Sequence, residues 1–210
     1  MKHGFAVTQS TDTLRRRAKR GFTADLLDLN KWFLAAADLL ASAELLEPSV
    51  RSWWRSFLKR LDGSEVETPE RRVQRVYFML LGFAVENLCK AVLIKRLSAT
   101  ERVAVRKDGT LPSRFKTHDL FELLSQIGFP LDEFDDTLIP RLETASQWYG
   151  RYPVPVHASK RFLRTLPGGT EVTTALYASF DPVQAGEFIE RLKKFSGFKK
   201  PKASLLDLDA

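Results

Sequence analysis

One stretch, residues 71–97, constrains the fold of this chain more than any other. It reads RRVQRVYFMLLGFAVENLCKAVLIKRL, with apolar side chains every three or four positions on one helical face and apolar or small residues on the opposite face. Thr68, Pro69 and Glu70 precede it and predict a helix start, because they fit an N-cap, a first helical residue and a first-turn acid. A helix that is apolar nearly all round is expected at the centre of a bundle.

Three polar residues lie inside this apolar run: Glu86, Asn87 and Lys90. The helix is long enough to span a bilayer, but each charged group at bilayer depth costs roughly 2.5–3.5 kcal/mol, so no membrane contact is predicted. Glu86 and Lys90 are four residues apart in the order that favours an ion pair along one helix. Alternatively, all three form a polar cluster inside the bundle, in which hydrogen bonds satisfy them. Together with His118 and Tyr152 they make the tentative binding site.

Apolar periodicity outside this stretch predicts five more helices, over residues 23–47, 49–61, 118–128, 132–148 and 181–195. Thr23 and Thr117 are the predicted N-caps of the first and third of these. Pro48 is expected to separate the first two helices, and Pro140 to kink or break the fourth.

Two segments with turn signals are expected to leave the helical pattern. Residues 102–113 contain Asp-Gly and residues 162–180 contain Pro-Gly-Gly, so each is interpreted as a small β-hairpin or an irregular excursion. The predicted fold is therefore all-α, an up-and-down helical bundle with one or two small β-hairpin excursions.

The chain carries an excess of positive charge, with 33 Lys and Arg against 26 Asp and Glu. Much of it lies in RRRAKR at residues 15–20 and KKFSGFKKPK at residues 193–202. These runs are either solvated tails or contacts with nucleic acid, since a basic balance favours polyanions. The predicted organisation is a basic irregular tail (1–21), a single helical domain (22–196) and a mobile tail (197–210).

Cys89 is the only cysteine, so no internal disulfide forms, and its place in the apolar run predicts an inert core residue. The first residues lack the apolar core and cleavage site of a signal peptide. A cytoplasmic location is therefore expected. The chain has no phosphate-binding glycine loop, no zinc-type Cys or His spacing and no G-x-S-x-G turn, so neither a metal nor a cofactor is predicted.

Three histidines, His3, His118 and His157, are the candidates for proton transfer. His3 lies in the predicted tail. His118 stands at a predicted helix N-terminus, where a neutral structural histidine bonded to the backbone is expected. His157 has Arg151 six positions before it, in a segment rich in tyrosine and basic residues.

An arginine and a histidine are the minimum for cleavage of RNA without a metal. The histidine takes the proton of a 2′-hydroxyl or gives one to the leaving oxygen, and the arginine stabilises the charge that develops on the phosphorus centre. Arg151 and His157 are therefore the candidate catalytic residues.

Three short motifs, in this order, resemble the HEPN superfamily, the domain named for higher eukaryotes and prokaryotes nucleotide-binding. They are GFAVENLCKAVLI at residues 82–94, THDLFELL at 117–124 and WYGRYPVP at 148–155. The resemblance covers roughly residues 23–155 and implies a bundle of four or five helices that forms a homodimer. Many members are RNases of prokaryotic toxin–antitoxin and antiphage systems, built on an arginine followed a few residues later by a histidine.

On this chain that motif falls on Arg151 and His157, with Tyr152 at a position that is usually polar in the family. Pro153 and Pro155 depart from the family pattern, because they interrupt the helix on which active members present the pair. The resemblance implies RNA as a partner, a second copy of the chain, and a cognate antitoxin or other protein.

Other members of the family lack the motif and bind RNA or nucleotides, or serve as interaction modules. The alternative hypothesis is therefore a non-catalytic module, in which Arg151 belongs to a turn docked on the bundle and pairs with Glu86 or another buried acid. Its partner surface would be the apolar cluster Trp53, Trp54 and Phe57. Sequence leaves open whether the protein is an enzyme.

Overall fold

The computed structural model describes residues 11–65, 73–149, 164–165, 169, 171–172 and 181–200. The helices within these residues are α1 (Thr11–Leu27), α2 (Leu29–Leu61), α3 (Gln74–Lys95), α4 (Ala99–Asp108), α5 (Leu120–Ile127), α6 (Asp135–Thr144) and α7 (Asp181–Ser196). A 3₁₀ turn, Ser113–Phe115, precedes α5, and a π-helical turn, Ala145–Tyr149, directly follows α6. The predicted all-α bundle is confirmed.

The central position of α3 is also confirmed. Fifteen of its 22 residues are buried, on all sides of the helix, and α2, α5, α6 and α7 pack around it. By length and composition α3 is the one described helix that could cross a membrane, but 78% of its most apolar window is buried inside the bundle. The helix begins at Gln74 after an N-cap residue, Val73, that makes no side-chain cap, and the predicted start at residues 68–70 lies outside the described residues.

The predicted break at Pro48 is wrong. α2 runs from Leu29 to Leu61 with the proline inside it. Its buried face continues on both sides, with Ala43 before the proline and Val50 after it, and this face packs along α3. Burial of apolar surface on both sides therefore outweighs the hydrogen bond that a proline removes from a helix interior.

The predicted irregular N-terminal tail is wrong from Thr11 onward, because α1 begins there. Thr23 is not an N-cap: it is buried within α1, and its hydroxyl donates to the carbonyl of Arg20 at 3.1 Å. Arginine, alanine and lysine in this segment are good helix formers. Lys19 also ties α1 to α4, because its Nζ donates to the carbonyl of Lys107 at 2.7 Å.

The first predicted hairpin, residues 102–113, is likewise wrong, since most of it belongs to α4. Ser98 Oγ accepts from the backbone N–H of Glu101 at 3.2 Å, and Glu101 Oε2 accepts from the N–H of Ser98 at 2.9 Å. This capping box starts the helix, and Gly109, with φ of 76°, ends it. An Asp-Gly pair signals both a hairpin turn and a helix end, which explains the error.

Arg114 holds the same capping carboxylate from the other side, with its Nη1 2.6 Å from Glu101 Oε1, and lowers the pKa of Glu101 to about 2. A lowered pKa in the folded chain means that Glu101 stabilises the fold above its ordinary pKa of 4.5, and that this contribution is lost as pH falls through about 2. We expect Arg114→Ala to raise the pKa of Glu101 toward 4.5, measured by NMR titration of the side-chain carboxyl.

Ser98→Ala is the control for this titration, because it keeps Arg114 and the backbone N–H of residue 98 and removes only the hydroxyl. Its effect on the pKa of Glu101 is expected to be the smaller of the two. An equal pKa in the Arg114→Ala variant and the unmodified protein would contradict the assignment.

The remaining helices agree with prediction in position but not in every cap. α5 ends at Gly128, as predicted, but its N-cap is Asp119, whose Oδ1 accepts from the N–H of Glu122 at 2.9 Å. α6 continues through Pro140 without a break, and the departure from α geometry comes at the π-helical turn instead. The predicted helix at 181–195 is confirmed as α7.

A short antiparallel pair lies within the second predicted hairpin. β1 (Arg164–Thr165) pairs with β2 (Glu171–Val172), Arg164 opposite Val172 and Thr165 opposite Glu171. Ion pairs join α7 to α6 and to the residues just before it. Arg191 pairs with Asp132 and Asp135, and Arg141, in the last turn of α6, pairs with Asp181.

Candidate functional site

The candidate site is built on a buried ion pair of α3. Glu86 and Lys90 are one helical turn apart, so their side chains lie on one face, and Lys90 Nζ is 2.6 Å from Glu86 Oε1. Their side chains are only 12% and 8% exposed, respectively. The pair runs along one helix, as the first interpretation predicts, and it is also covered by the bundle, but Asn87 is not part of it.

His118 joins this pair from the loop before α5. Its Nδ1 lies 3.0 Å from both carboxylate oxygens of Glu86. The predicted backbone partner for this histidine is therefore wrong, because its described ring contact is with a side chain 32 residues earlier in the chain. The His118 side chain is 63% exposed, whereas the carboxylate behind it is nearly covered.

The loop that carries His118 is held by its neighbours on both sides. Thr117 Oγ1 accepts from the N–H of Asp119 at 3.1 Å and donates to Glu122 Oε2 at 2.7 Å. The carbonyl of His118 itself accepts from Gln147 Nε2 at 3.1 Å. A backbone fixed in this way keeps the imidazole at one place relative to Glu86.

Gln147 belongs to the π-helical turn that follows α6. Glu143, near the end of α6, accepts the N–H of Leu120 through Oε2 at 3.1 Å and so satisfies one free donor at the start of α5. Ser146 Oγ donates to the carbonyl of Glu143 at 3.0 Å within the same turn. Turns of π-helix occur frequently at functional sites, and here the turn supports the histidine loop.

This geometry sets the proton arrangement of the imidazole. An ionised carboxylate only accepts hydrogen bonds, so the contact with Glu86 requires the proton on Nδ1 of His118. In the neutral ring, Nε2 then carries a lone pair and acts as an acceptor. Glu86, His118 and Lys90 together form what we call the carboxylate–histidine site, which can accept a proton at Nε2 and stabilise the resulting imidazolium.

Asn87 does not belong to the carboxylate–histidine site, although the sequence predicts it in the same cluster. It lies on a different face of α3, where its Nδ2 donates to the carbonyl of Phe83 at 2.8 Å and its side chain lines a groove beside α1 and α2. Arg151, Tyr152 and His157 lie outside the described residues.

Sequence reasoning missed the supporting residues Glu143 and Gln147. Each is polar within an amphipathic stretch and resembles any other surface residue in the sequence, so no local pattern marks it. His118 was predicted as a tentative member of the polar cluster of Glu86, but the contact of its Nδ1 with that carboxylate was not, because nothing in the spacing of two residues on separate elements specifies a contact.

Two further sequence predictions concern residues near the core. Cys89 is fully buried, as predicted, and burial raises the pKa of its thiol far above the ordinary value. Trp53, Trp54 and Phe57 pack on one another, with Trp53 stacked on Phe57 at 5.2 Å between ring centres. Trp54 is buried and the other two rings are partly buried, so much of this apolar surface is used inside the protein.

Among the described residues, no group of three or more His, Cys, Asp or Glu side chains is arranged to hold a metal ion. Comparison of the chain with protein-family models, with curated proteins and with solved structures finds no match in any of the three. The likeness to the HEPN superfamily therefore rests on the three short motifs alone.

Proposed function

We propose that this protein acts on RNA as a metal-independent endoribonuclease built on a HEPN-like helical bundle. The observation that carries the proposal is His118, a largely exposed imidazole whose Nδ1 is held by the buried carboxylate of Glu86 at 3.0 Å. An exposed Nε2 lone pair with a fixed tautomer is suited to take a proton from a substrate hydroxyl.

Lys90 strengthens this arrangement. Its ammonium lies 2.6 Å from Glu86 Oε1 and compensates the charge of this covered carboxylate. An ionised Glu86 stabilises the imidazolium that forms when His118 takes a proton. The carboxylate thus orients the histidine before the reaction and compensates its charge during it.

The proposed reaction needs two proton transfers and one positive charge. Nε2 of His118 takes the proton of the 2′-hydroxyl, whose oxygen attacks the adjacent phosphorus and forms a 2′,3′-cyclic phosphate. The bond to the 5′-oxygen breaks, and His157 protonates that leaving oxygen, so the proton count balances. Arg151 stabilises the negative charge on the phosphorus centre.

The test is incubation of the protein with single-stranded RNA in excess EDTA. We expect cleavage products with 2′,3′-cyclic phosphate ends, and a rate lowered by about 10²–10⁴-fold in His118→Asn, because a positioned general base contributes that much. Asparagine places an amide N–H where Nδ1 lies, so it keeps the contact with Glu86 and removes only proton transfer at Nε2. A comparable loss is expected for the double variant Arg151→Ala, His157→Ala.

Lys116→Ala is the matched control, because Lys116 is exposed in the same loop, two residues before His118. It is expected to cleave at the unmodified rate. Equal cleavage by Lys116→Ala and His118→Asn, or no cleavage by the unmodified protein, would remove the enzyme hypothesis.

The alternative is a non-catalytic module that binds a partner protein. Exposed Leu58 and Leu61 near the end of α2, beside the Trp53, Trp54 and Phe57 cluster, favour it. Binding of this kind is insensitive to salt, whereas contacts with phosphates release counterions and weaken steeply as salt rises. A partner whose affinity is unchanged by salt and lowered by Leu61→Asp would support the alternative.

A further inference from the structure

Two basic helices lie side by side on the surface of the bundle. α1 carries five basic side chains within six positions, all exposed: Arg15, Arg16, Arg17, Lys19 and Arg20. α4 adds Arg106 and Lys107, also exposed, and the bond from Lys19 Nζ to the carbonyl of Lys107 joins the two helices. None of these seven forms an ion pair with an acid in the part of the chain that the structure describes.

An aromatic groove lies beside the C-terminal part of α1, directly after its basic residues. It has a volume of about 260 Å³ and is lined by Phe22, Leu26, Trp32 and Ala35, with Asp25, Lys31 and Asn87 at its polar positions. Phe22 is 57% exposed, an unusual position for so large an apolar side chain. Trp32 is held in place, because its Nε1 donates to the carbonyl of Leu26 at 3.1 Å.

The order of these features along α1 matters. Lys19 is three residues before Phe22 and Arg15 is seven, so all three lie close to one face of the helix. A strand that follows this face meets cationic side chains first and aromatic side chains next. Unpaired nucleic acid is recognised by this combination, since phosphates pair with the cations and exposed bases stack on the rings.

We propose that α1, α4 and the aromatic groove form a docking surface for single-stranded RNA, with a base stacked on Phe22 and Trp32. This inference rests on the proposed function, namely that RNA is what the protein acts on, and it adds the strandedness of the substrate and the place where it binds. Asn87 belongs to α3, so the groove borders this helix. The preceding residue, Glu86, belongs to the carboxylate–histidine site.

An anionic membrane is the other polyanion that a basic helix can meet. Membrane binding requires apolar side chains that project outward from the helix into the lipid. Phe22 and Leu26 instead line a shallow groove together with Trp32 of α2 and the polar side chain of Asn87 of α3. Two aromatic rings and an amide beside a row of cations favour a nucleobase over lipid chains.

The experiment measures binding of fluorescently labelled single-stranded RNA and of the same sequence as a duplex, by anisotropy in EDTA with the His118→Asn protein, so that binding is read without cleavage. We expect Phe22→Ala to weaken single-strand binding by about 10-fold or more and to leave duplex binding unchanged, because stacking requires unpaired bases. Phe22→Trp is expected to retain the affinity. Phe134→Ala is the matched control, since Phe134 is 55% exposed and lies on α6's N-terminal side, away from the groove residues.

The charged part of the surface is tested by a triple variant, Arg15→Gln, Arg16→Gln, Arg106→Gln. It is expected to lower the slope of log affinity against log salt by about 2, because each phosphate contact of a single strand contributes about 0.7. The control removes the same charge from the other end of α2, about 40 Å along the helix from Trp32, as Arg55→Gln, Lys59→Gln, Arg60→Gln. Its salt slope is expected to match that of the parent protein.

Three results would overturn the inference: equal effects of Phe22→Ala and Phe134→Ala, equal salt slopes in the two triple variants, or binding to vesicles of anionic lipid that depends on Phe22 while RNA binding does not. The two proposals are separable. RNA binding through Phe22 by an unmodified protein that does not cleave supports this surface and removes the nuclease, whereas cleavage without any effect of Phe22 or the arginines does the reverse.

Discussion

Replacing Lys90 with methionine is expected to lower the free energy of unfolding by about 3–5 kcal/mol, as for other buried pairs that lose one partner. Methionine keeps much of the apolar stem of lysine, so the lost term is the charge. Glu86, whose side chain is 12% exposed, is then left with only the exposed His118 beside it. Urea unfolding followed by circular dichroism measures the effect.

The exposed pair of α2 is the natural control for this substitution. Arg51 and Glu47 have the same spacing and the same 2.6 Å separation as Lys90 and Glu86, but their side chains are 47% and 31% exposed. Arg51→Met is therefore expected to cost less than about 1 kcal/mol. Equal costs for Lys90→Met and Arg51→Met would show that burial of the α3 pair has no energetic consequence.

The double variant Glu86→Gln, Lys90→Met tests whether the loss of stability in Lys90→Met comes from the charge of Glu86. If the penalty of Lys90→Met comes from an uncompensated carboxylate, neutralising that carboxylate is expected to restore more than half of the lost stability, because coupled residues are not additive. A double variant as unstable as the sum of the single variants would attribute the loss to packing instead.

Gly82→Ala is expected to destabilise the protein by about 1–3 kcal/mol, although alanine is the better helix former. A Cβ added at Gly82 would lie 2.6 Å from the carbonyl oxygen of Leu142 and 3.0 Å from Cβ of Ser146. The first of these is backbone, so α6 and the π-helical turn would have to move away from α3. Thermal unfolding measures the change.

Gly186 in α7 is the matched position, since a Cβ added there meets no atom within 4 Å. Gly186→Ala is therefore expected to stabilise the protein by about 0.5–1 kcal/mol, the usual gain for this substitution in a helix. The same sign of change at both glycines would contradict the close approach at Gly82. Because Gln147 in that turn holds His118, Gly82→Ala is also expected to slow RNA cleavage.

The central helix was predictable because its signal is local. Residues 74–95 are apolar on nearly every face, and no other burial pattern satisfies such a sequence in water. The same reasoning placed α7 and the end of α5, where an acid-proline start and a glycine end are read directly from neighbouring residues.

Predictions from short sequence patterns failed where the same pattern is compatible with two different structures. Asp108-Gly109 ends α4 rather than turning a hairpin, since the capping box of Ser98 and Glu101 had already begun a helix. Pro48 sits inside α2 because apolar residues on both sides pack along α3. A proline removes one local hydrogen bond, whereas the stabilisation from burial is spread over the whole helix. The apolar pattern of a short segment therefore does not show which of these two energies is larger.

The sequence by itself determined that Glu86 and Lys90 share one face of a buried helix, because four residues make about one helical turn. Only the tertiary structure decided that His118 meets that carboxylate, that Gln147 holds the histidine loop and that Asn87 faces a different groove. The physical reason is the distance along the sequence between the residues that determine each contact. Hydrogen-bonded spacing along one helix is set by neighbouring residues, whereas contacts between helices depend on how their apolar faces pack, at Gly82 and throughout the core.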